Sequence, residues 1–573
     1  MCAAAFLAGG MAEPAMAQTT IFTDVNVVTM TDDDLLEGQT VIIRDGVVVA
    51  IGPTGEISIP SEGVVISGEG RYLMPGLAGM HVHLRDQNEY INYLAHGVTT
   101  VMTLGASWNR AIQIRNDRDA ILTGALLGPN IIATARILDG DPPTGGGSTL
   151  QSLSTPTEAR AAVIETDEAG FDFIKTYNNI SREAFDAIVQ ESAARGMPLV
   201  GHIPRNFDTD HSLGAGLDVV AHSEEFFFTV FKGPRSTNNI DKSYRPDLSL
   251  IPDLVELLKD AGVFVTQNLS YPYGIQLMWD NLDHLWSDPE MAYLAPASAN
   301  GWRNGNLNRR DNVENFVYRD AMKYGLMQEL TRRFQEADIP MLLGTDASIE
   351  SAFPGKSAHR ELRELVKAGI TNIDALEIAT RNAGDYAAEH LRSSERFGRV
   401  AVGYRADLVL MDENPVEDVR NVARIAGVMV RGRWLDRSEI DARRAVLAER
   451  YATINEIGES LANAFEAGML AESAAGLVSQ YSDNDEALRE IESSINGLGY
   501  RYVGSDELER ALDVFEVNTV LFPGSANTWD SLAETHLSLG NRDRSIELYR
   551  KAIEVDPSFD NARAQLERIL SGN

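Results

Sequence analysis

Apolar positions along the chain fall into two textures, one of period two and one of period three to four, and their order predicts the architecture. From Ile21 to Val65 short β-branched runs alternate with turn residues, through TDVNVVTM, QTVIIRDGVVVAIGP and into GVVISGEGRYLMPG. The RDG triplet between two Val/Ile runs predicts a hairpin, so this segment reads as a small all-β unit. The same texture returns between Gly403 and Leu435, in GYRADLVLMDENP and VARIAGVMVRGRWL. The two distant pieces are expected to share one sheet.

Between them, short apolar runs alternate with amphipathic helical segments. The runs are AGMHVHL, VTTVMTLG, PNIIATARILD, FDFIKTY, MPLVGHIP, LDVVAHSEEF, VFVTQNLS and IPMLLGTDAS. Such alternation predicts parallel strands with right-handed crossovers, in the α/β class. Eight strands fit a closed (β/α)8 TIM-like barrel better than an open doubly wound sheet, because no glycine-rich phosphate loop follows the first strand. Long aromatic stretches after His222 (FFFTVFKGPRSTNNIDKSYRPD) and Ser270 (YPYGIQLMWDNLDHLW) read as loops that would roof an apolar pocket or simply pack.

Past Asp436 helices dominate. Trp529, Leu532, Gly540, Tyr549, Ala552 and Pro557 fall on the spacing of a 34-residue helix-turn-helix repeat. Shifted upstream by one repeat, Leu498, Gly499, Tyr502, Ala511, Phe515 and Pro523 match more loosely. This part resembles a tetratricopeptide module, a surface through which the chain would meet a second copy or a protein partner. The expected organisation is a composite β-sandwich (18–75 and 397–437), a barrel (76–396), a helical linker (438–491) and helical repeats (492–573).

Composition narrows the function. A length of 573 residues calls for two or three domains, and a formal charge of −34 argues against nucleic-acid partners and anionic membrane surfaces. No apolar run reaches the roughly 20 residues that span a bilayer. Cys2 is the only cysteine, so any metal must be held by nitrogen and oxygen. The apolar opening ends in Ala15-Met16-Ala17, the small-x-small pattern of a cleaved export signal over residues 1–17, which implies a periplasmic or secreted protein.

The chemistry concentrates at strand ends. In LMPGLAGMHVHLRD, His81 and His83 stand two residues apart at the end of an apolar run, so both imidazoles leave the same face of a strand. Lys175, His202, His222 and Asp346 close four further runs. Each alone is ordinary: a buried histidine is usually hydrogen-bonded, a strand-end Asp caps a helix, a Lys snorkels. Six at equivalent positions, on strands one, four, five, six and eight, point to a metal site at the C-terminal face.

With these residues in view the sequence resembles the amidohydrolase superfamily of metal-dependent hydrolases. PGLAGMHVHL is similar to its first strand, and the likeness runs from about Ile21 to Leu435, split sandwich included. GTDAS…FPGKSAHRELRELVKAGITNIDALEIATRNAG and GRVAVGYRADLVLMDENP are similar to the branch of imidazolonepropionase and Xaa-Pro dipeptidase. The resemblance implies two divalent ions, one on His81, His83 and Asp346 and one on His202 and His222. It also implies that Lys175 bridges them as N6-carboxylysine. Zinc suits such a site, with manganese, cobalt or iron as alternatives. A hydroxide between the ions would attack an amide or peptide carbonyl, with Asp346 as proton shuttle. The expected substrate is an N-acyl amino acid, a dipeptide or a related amide. Arg205 and His359 are candidates for its carboxylate, and Tyr271 and Tyr273 for its carbonyl oxygen. A deaminase or cyclic-amide hydrolase, and a non-catalytic recruiter using the repeats, are the competing readings.

Overall fold

The computed structural model describes residues 19–571 apart from 32–34, 145–147, 239, 281, 310, 311, 394 and 558. The expected export signal at 1–17, with Cys2, lies outside the described residues. Among the described residues no helix is long and apolar enough to cross a membrane. The chain divides into two compact units, the first chiefly up to Ala445 and the second chiefly 446–573.

The first unit begins with β1 (Thr19–Val28), β2 (Leu35–Arg44), β3 (Val47–Pro53), β4 (Val64–Ser67) and β5 (Tyr72–Pro75). It ends with β16 (Leu408–Met411), β17 (Ile425–Val430) and β18 (Arg433–Asp436). Together they form one eight-stranded sheet, ordered β18-β17-β16-β5-β1-β2-β3 with β4 on β1. The seam between the distant pieces is antiparallel, with Val409 opposite Met74. The RDG turn joins β2 to β3 with Asp45 and Gly46 at φ +51° and +75°, the left-handed pair that a two-residue hairpin demands. Phe22, Val48, Leu408 and Met429, from strands far apart in this order, share one core, and Trp434 meets the Phe22 ring edge-on.

Between these pieces run ten parallel strands: β6 (Leu77–Val82), β7 (Val98–Thr103), β8 (Asn130–Ala133), β9 (Ile137–Gly140), β10 (Leu150–Leu153), β11 (Ile174–Thr176), β12 (Leu199–Gly201), β13 (Val219–Ala221), β14 (Phe264–Thr266) and β15 (Met341–Leu342). They pair as β6-β7-β8 and as β10-β9-β11-β12-β13-β14-β15. Hydrogen bonds also cross from one set to the other, just past β15 and just before β11. The Met80 amide donates to the Leu343 carbonyl at 2.7 Å, and the Asp172 amide to that of Ala133 at 2.9 Å. Met80, Met102, Ile132, Phe173, Val200, Val219, Phe264 and Leu342 meet in one buried cluster that Ala383 and Tyr386 of the helix Arg381–His390 join.

Two details differ from the expected layout. The run PNIIATARILD splits into β8 and β9, because the Ala133 amide and carbonyl are taken by Asp172 and the chain then moves on to pair β9 with β11. The stretch after Ser270 is helical, Ser270–Asp280 and Leu282–Trp286, rather than loop. Its first turn is fixed from a distance: the buried Glu361 carboxylate accepts the amides of Leu269 (2.9 Å) and Ser270 (2.6 Å). Anions are stabilised at helix N-termini by those unsatisfied donors.

The second unit is entirely helical, from the later turns of Arg437–Glu466 to Asp560–Ser571. Ile457, Leu461, Leu470, Ile491 and Val514 form one core and Phe515, Leu532, Leu548, Tyr549 and Ala552 another. Residues 438–491, read as a linker, thus contribute to a packed interior.

Candidate metal centre

Parallel strands put their C-terminal ends on one face, and each expected residue stands at or just past such an end. His81 is in β6 and His83 follows it, Lys175 is the middle residue of β11, His202 and His222 follow β12 and β13, and Asp346 comes after β15. The face is tightened by the Thr345 and Asp346 amides, which both donate to the His81 carbonyl at 3.1 and 2.9 Å. Asp346 itself has φ +59°, a left-handed conformation that turns its carboxylate back over β6.

Two clusters of ligand atoms result. In the first, Asp346 Oδ1 lies 3.4 Å from His81 Nε2 and 2.9 Å from His83 Nε2. In the second, His202, His222 and Glu225 bring one ligand atom each within 4.8 Å of one another. The clusters adjoin: the His81 and His222 rings stack with centroids 5.2 Å apart, and His202 meets His222 edge-on at 4.9 Å. Lys175 is within electrostatic reach of His81, His202, His222, Asp346 and Glu225.

These residues fit divalent cations. His81 Nδ1, Lys175 Nζ, His222 Nδ1 and Asp346 Oδ1 are all buried without a hydrogen-bond partner. Native interiors rarely leave such atoms unpaired, and here four belong to the side chains of two adjoining clusters. Asp346 Oδ1 touches two imidazoles yet makes no well-directed hydrogen bond to either. Separations near 3 Å between ligand atoms are instead the edge length of a tetrahedron with bonds of about 2.0–2.1 Å.

Electrostatics favour the same reading. Burial pushes His81 down to about 3 and His222 to about 4, and takes His202 well below the usual imidazole range. All three are neutral at physiological pH and keep a lone pair for a ligand bond. Burial would raise Asp346, but the neighbouring His81 and His83 outweigh it and hold the carboxyl well below its usual range. Burial brings Lys175 down to about 7, with Asp346 and Glu225 opposing. A large fraction of its amine is therefore neutral and nucleophilic.

Glu225 was not anticipated from the sequence. It is the second residue of the helix Glu224–Thr229, is fully buried, and its Oε1 lies 3.2 Å from His202 Nδ1 and 2.9 Å from Arg205 Nη2. Asn178 Oδ1 approaches the same His202 nitrogen at 2.9 Å. The available signal was the spacing His222-x-x-Glu225. Asn268 was also missed: both its amide atoms are buried and unpartnered, beside His81 at Gly344.

The four residues expected to touch substrate are placed differently. Arg205 pairs through Nη2 with Glu225 and lies over the Phe228 ring, while its Nε is buried without a partner. His359 is buried, its Nε2 is 2.8 Å from the His96 carbonyl, and burial lowers it to about 3. Tyr273 stacks on Tyr324 beneath Lys367, and the Tyr271 ring faces Lys323.

Parallel strands and this donor set together make a candidate metal-binding α/β protein, and comparison with known proteins shows what it is similar to. Residues 311–435 match the family model described as amidohydrolase family. Bottromycin amidohydrolase shares the fold, with TM-score 0.59 and 22% identity over 76% of this chain and 92% of its own. A Xaa-Pro dipeptidase with bound methionine in its active site shares it too, with TM-score 0.53 and 20% identity over 73% and 100%. Adenine deaminase of Ruegeria sp. (strain TM1040) is 35% identical over 75 residues, so the match spans only 12% of that relative's length. The family model thus matches the C-terminal part of the first unit, the solved structures share its fold, and the region beyond is all-helical.

Proposed function

We propose that the protein is a metal-dependent hydrolase of amide or peptide C–N bonds, with β6–β8 and β11–β15 closed into a (β/α)8 barrel around the site. The observation that carries this is the pair of adjoining ligand groups, His81–His83–Asp346 and His202–His222–Glu225, with the buried and unpartnered Lys175 amine in their electrostatic reach. His81, His83 and Asp346 would hold one divalent ion and His202 and His222 a second, most simply zinc. Lys175, carbamylated on its neutral amine, would bridge them. When bound, the ions acidify water to near neutrality and polarise a carbonyl.

The chain's own residues then manage protons and orientation. Asp346 takes a proton from the attacking water on its carboxylate and passes it to the departing amine nitrogen, acting first as base and then as acid. Glu225 and Asn178 accept the Nδ1 proton of His202, leaving Nε2 as the free lone pair. Substrates of first choice are N-acyl amino acids and dipeptides.

Deamination is the second reading, favoured by two observations. Glu225 is a buried carboxyl raised by burial to about 7, and adenine deaminase matches a 75-residue stretch. One experiment separates the two: metal analysis of the purified protein with a screen of N-acyl amino acids, dipeptides and aminopurines. About two ions per chain with release of amino acids supports the hydrolase, ammonia from the purines supports the deaminase, and no bound metal removes both.

A further inference from the structure

A cavity of about 450 Å³ adjoins the metal centre, with His83 in its wall. That volume suits a small molecule. Arg85, Ser107, Arg110, Thr149 and Ile349 complete the part that matters here, and no carboxylate is among the lining residues. His83 to Arg85 and Gly105 to Ser107, the segments that follow β6 and β7, form most of its wall, on the face where His83 stands.

Two arginines in one small cavity stand out in a chain of net charge −34. Arg110 Nε reaches the Leu84 carbonyl at 3.4 Å, but its Nη2 is buried without a partner. Asp117, whose carboxyl feels Arg110, already accepts the Tyr90 hydroxyl at 2.8 Å. Ser107 precedes the 15-residue helix Trp108–Leu122 and makes no side-chain cap, so the first amides of that helix add positive potential at the same wall. Arg85 is exposed and flanks the opening.

We infer that this cavity binds a carboxylate of the substrate, with Arg110 as the principal partner and Arg85 at the rim, while the scissile group lies toward His83 and Asp346. The inference rests on the hydrolase reading and narrows it to amides that carry a free carboxylate close to the cleaved bond. Guanidinium–carboxylate pairs are charge-assisted and often bidentate, so their loss is large and specific to the anion.

Binding tests this apart from turnover. The probes are N-methanesulfonyl-L-leucine and the matching alcohol, N-methanesulfonyl-L-leucinol, neither of which has an acyl C–N bond, titrated calorimetrically into the metal-loaded protein. The acid should bind about ten- to hundredfold more tightly than the alcohol. Arg110→Gln should abolish that preference while leaving affinity for the alcohol unchanged, Arg110→Lys should keep part of it, and Arg85→Gln should reduce it by a few fold. Acid and alcohol that behave alike in the unmodified protein, both failing to bind included, overturn the inference. So does an undiminished preference in a folded R85Q/R110Q variant. An intact acid preference in a protein that hydrolyses no amide would instead sink the hydrolase reading and leave this one standing.

Discussion

Glu225 Oε1 lies 3.2 Å from His202 Nδ1, reaching from the helix after β13 to a ring that follows β12. A carboxylate behind a metal-binding imidazole fixes its tautomer and raises its basicity, and loss of such a partner typically costs about 10–100-fold in metal affinity or activity. Glu225→Gln should therefore lower the metal content from about two ions per chain toward one, with the fold retained by circular dichroism. Two tightly held ions in that variant would refute the role. Arg205→Ala should act on stability as well, since it strands the Glu225 charge in the interior; such losses run to about 3–5 kcal/mol.

Lys175 is buried and its ammonium group finds no partner, so the metal-free protein carries a strained amine. Replacing it by Met should make the metal-free chain more stable, on the order of a few kcal/mol. Metal loading and turnover should fall together. In the unmodified protein, chelation should lower the melting temperature and added metal with bicarbonate should restore it. A Lys175→Met variant that still takes up two ions and turns over amides would exclude the bridging carbamate.

The six strand-end residues were legible because a parallel α/β fold turns strand ends into one face, so sequence position alone nearly gives spatial position. His81 and His83 needed only the two-residue period of a strand. Residues that act through tertiary approach left no such trace. Glu225 matters through His202 on the neighbouring strand, and Arg110 looks like any solvated charge on a helix until Leu84 and His83 are seen beside it. The helix from Ser270 was misread as loop because Glu361, about ninety residues away, supplies its N-terminal acceptor. The partners of Arg205 and His359, Glu225 and the His96 carbonyl, were equally hidden, because they come from other elements.

Acid should loosen the junction between the outer sheet and the parallel strands. Glu395 accepts from Arg431 at 2.6 Å and from Arg405 at 2.8 Å, and Arg431 also reaches Asn130 of β8. The Arg431 hydrogen bond, against some burial and with help from Arg405, holds the Glu395 carboxyl at about 2. A folded value below the unfolded one, near 4.5, means stabilisation that is complete above pH 4.5 and lost as the pH falls toward 2. Thermal melts should show the unmodified protein converging on Glu395→Gln as the pH drops through that window. A gap between the two that stays constant with pH would count against the pairing.

Gly344 offers the most local test of the first metal cluster. It lies between Asn268 and His81, and a Cβ there would come within 2.0 Å of Asn268 Oδ1 and 2.9 Å of the His81 Cβ. Gly344→Ala must push one of them away. Overpacking of this kind typically costs about 1–3 kcal/mol. The Asn268 amide is the freer of the two, having no partner to lose, but it is walled in by the Leu269 and Ser270 amides fixed on Glu361. His81 should therefore shift, since its ring is held only by contacts at the site. Misplacement of a reacting group by about 1 Å can cost on the order of 100-fold in rate. The variant should bind the ion of the His81–His83–Asp346 cluster more weakly, with the His202–His222 ion retained and unfolding still cooperative. Equal loss of both ions would mean that the two clusters cannot be separated through Gly344, and unchanged metal content and rate would place His81 outside the centre.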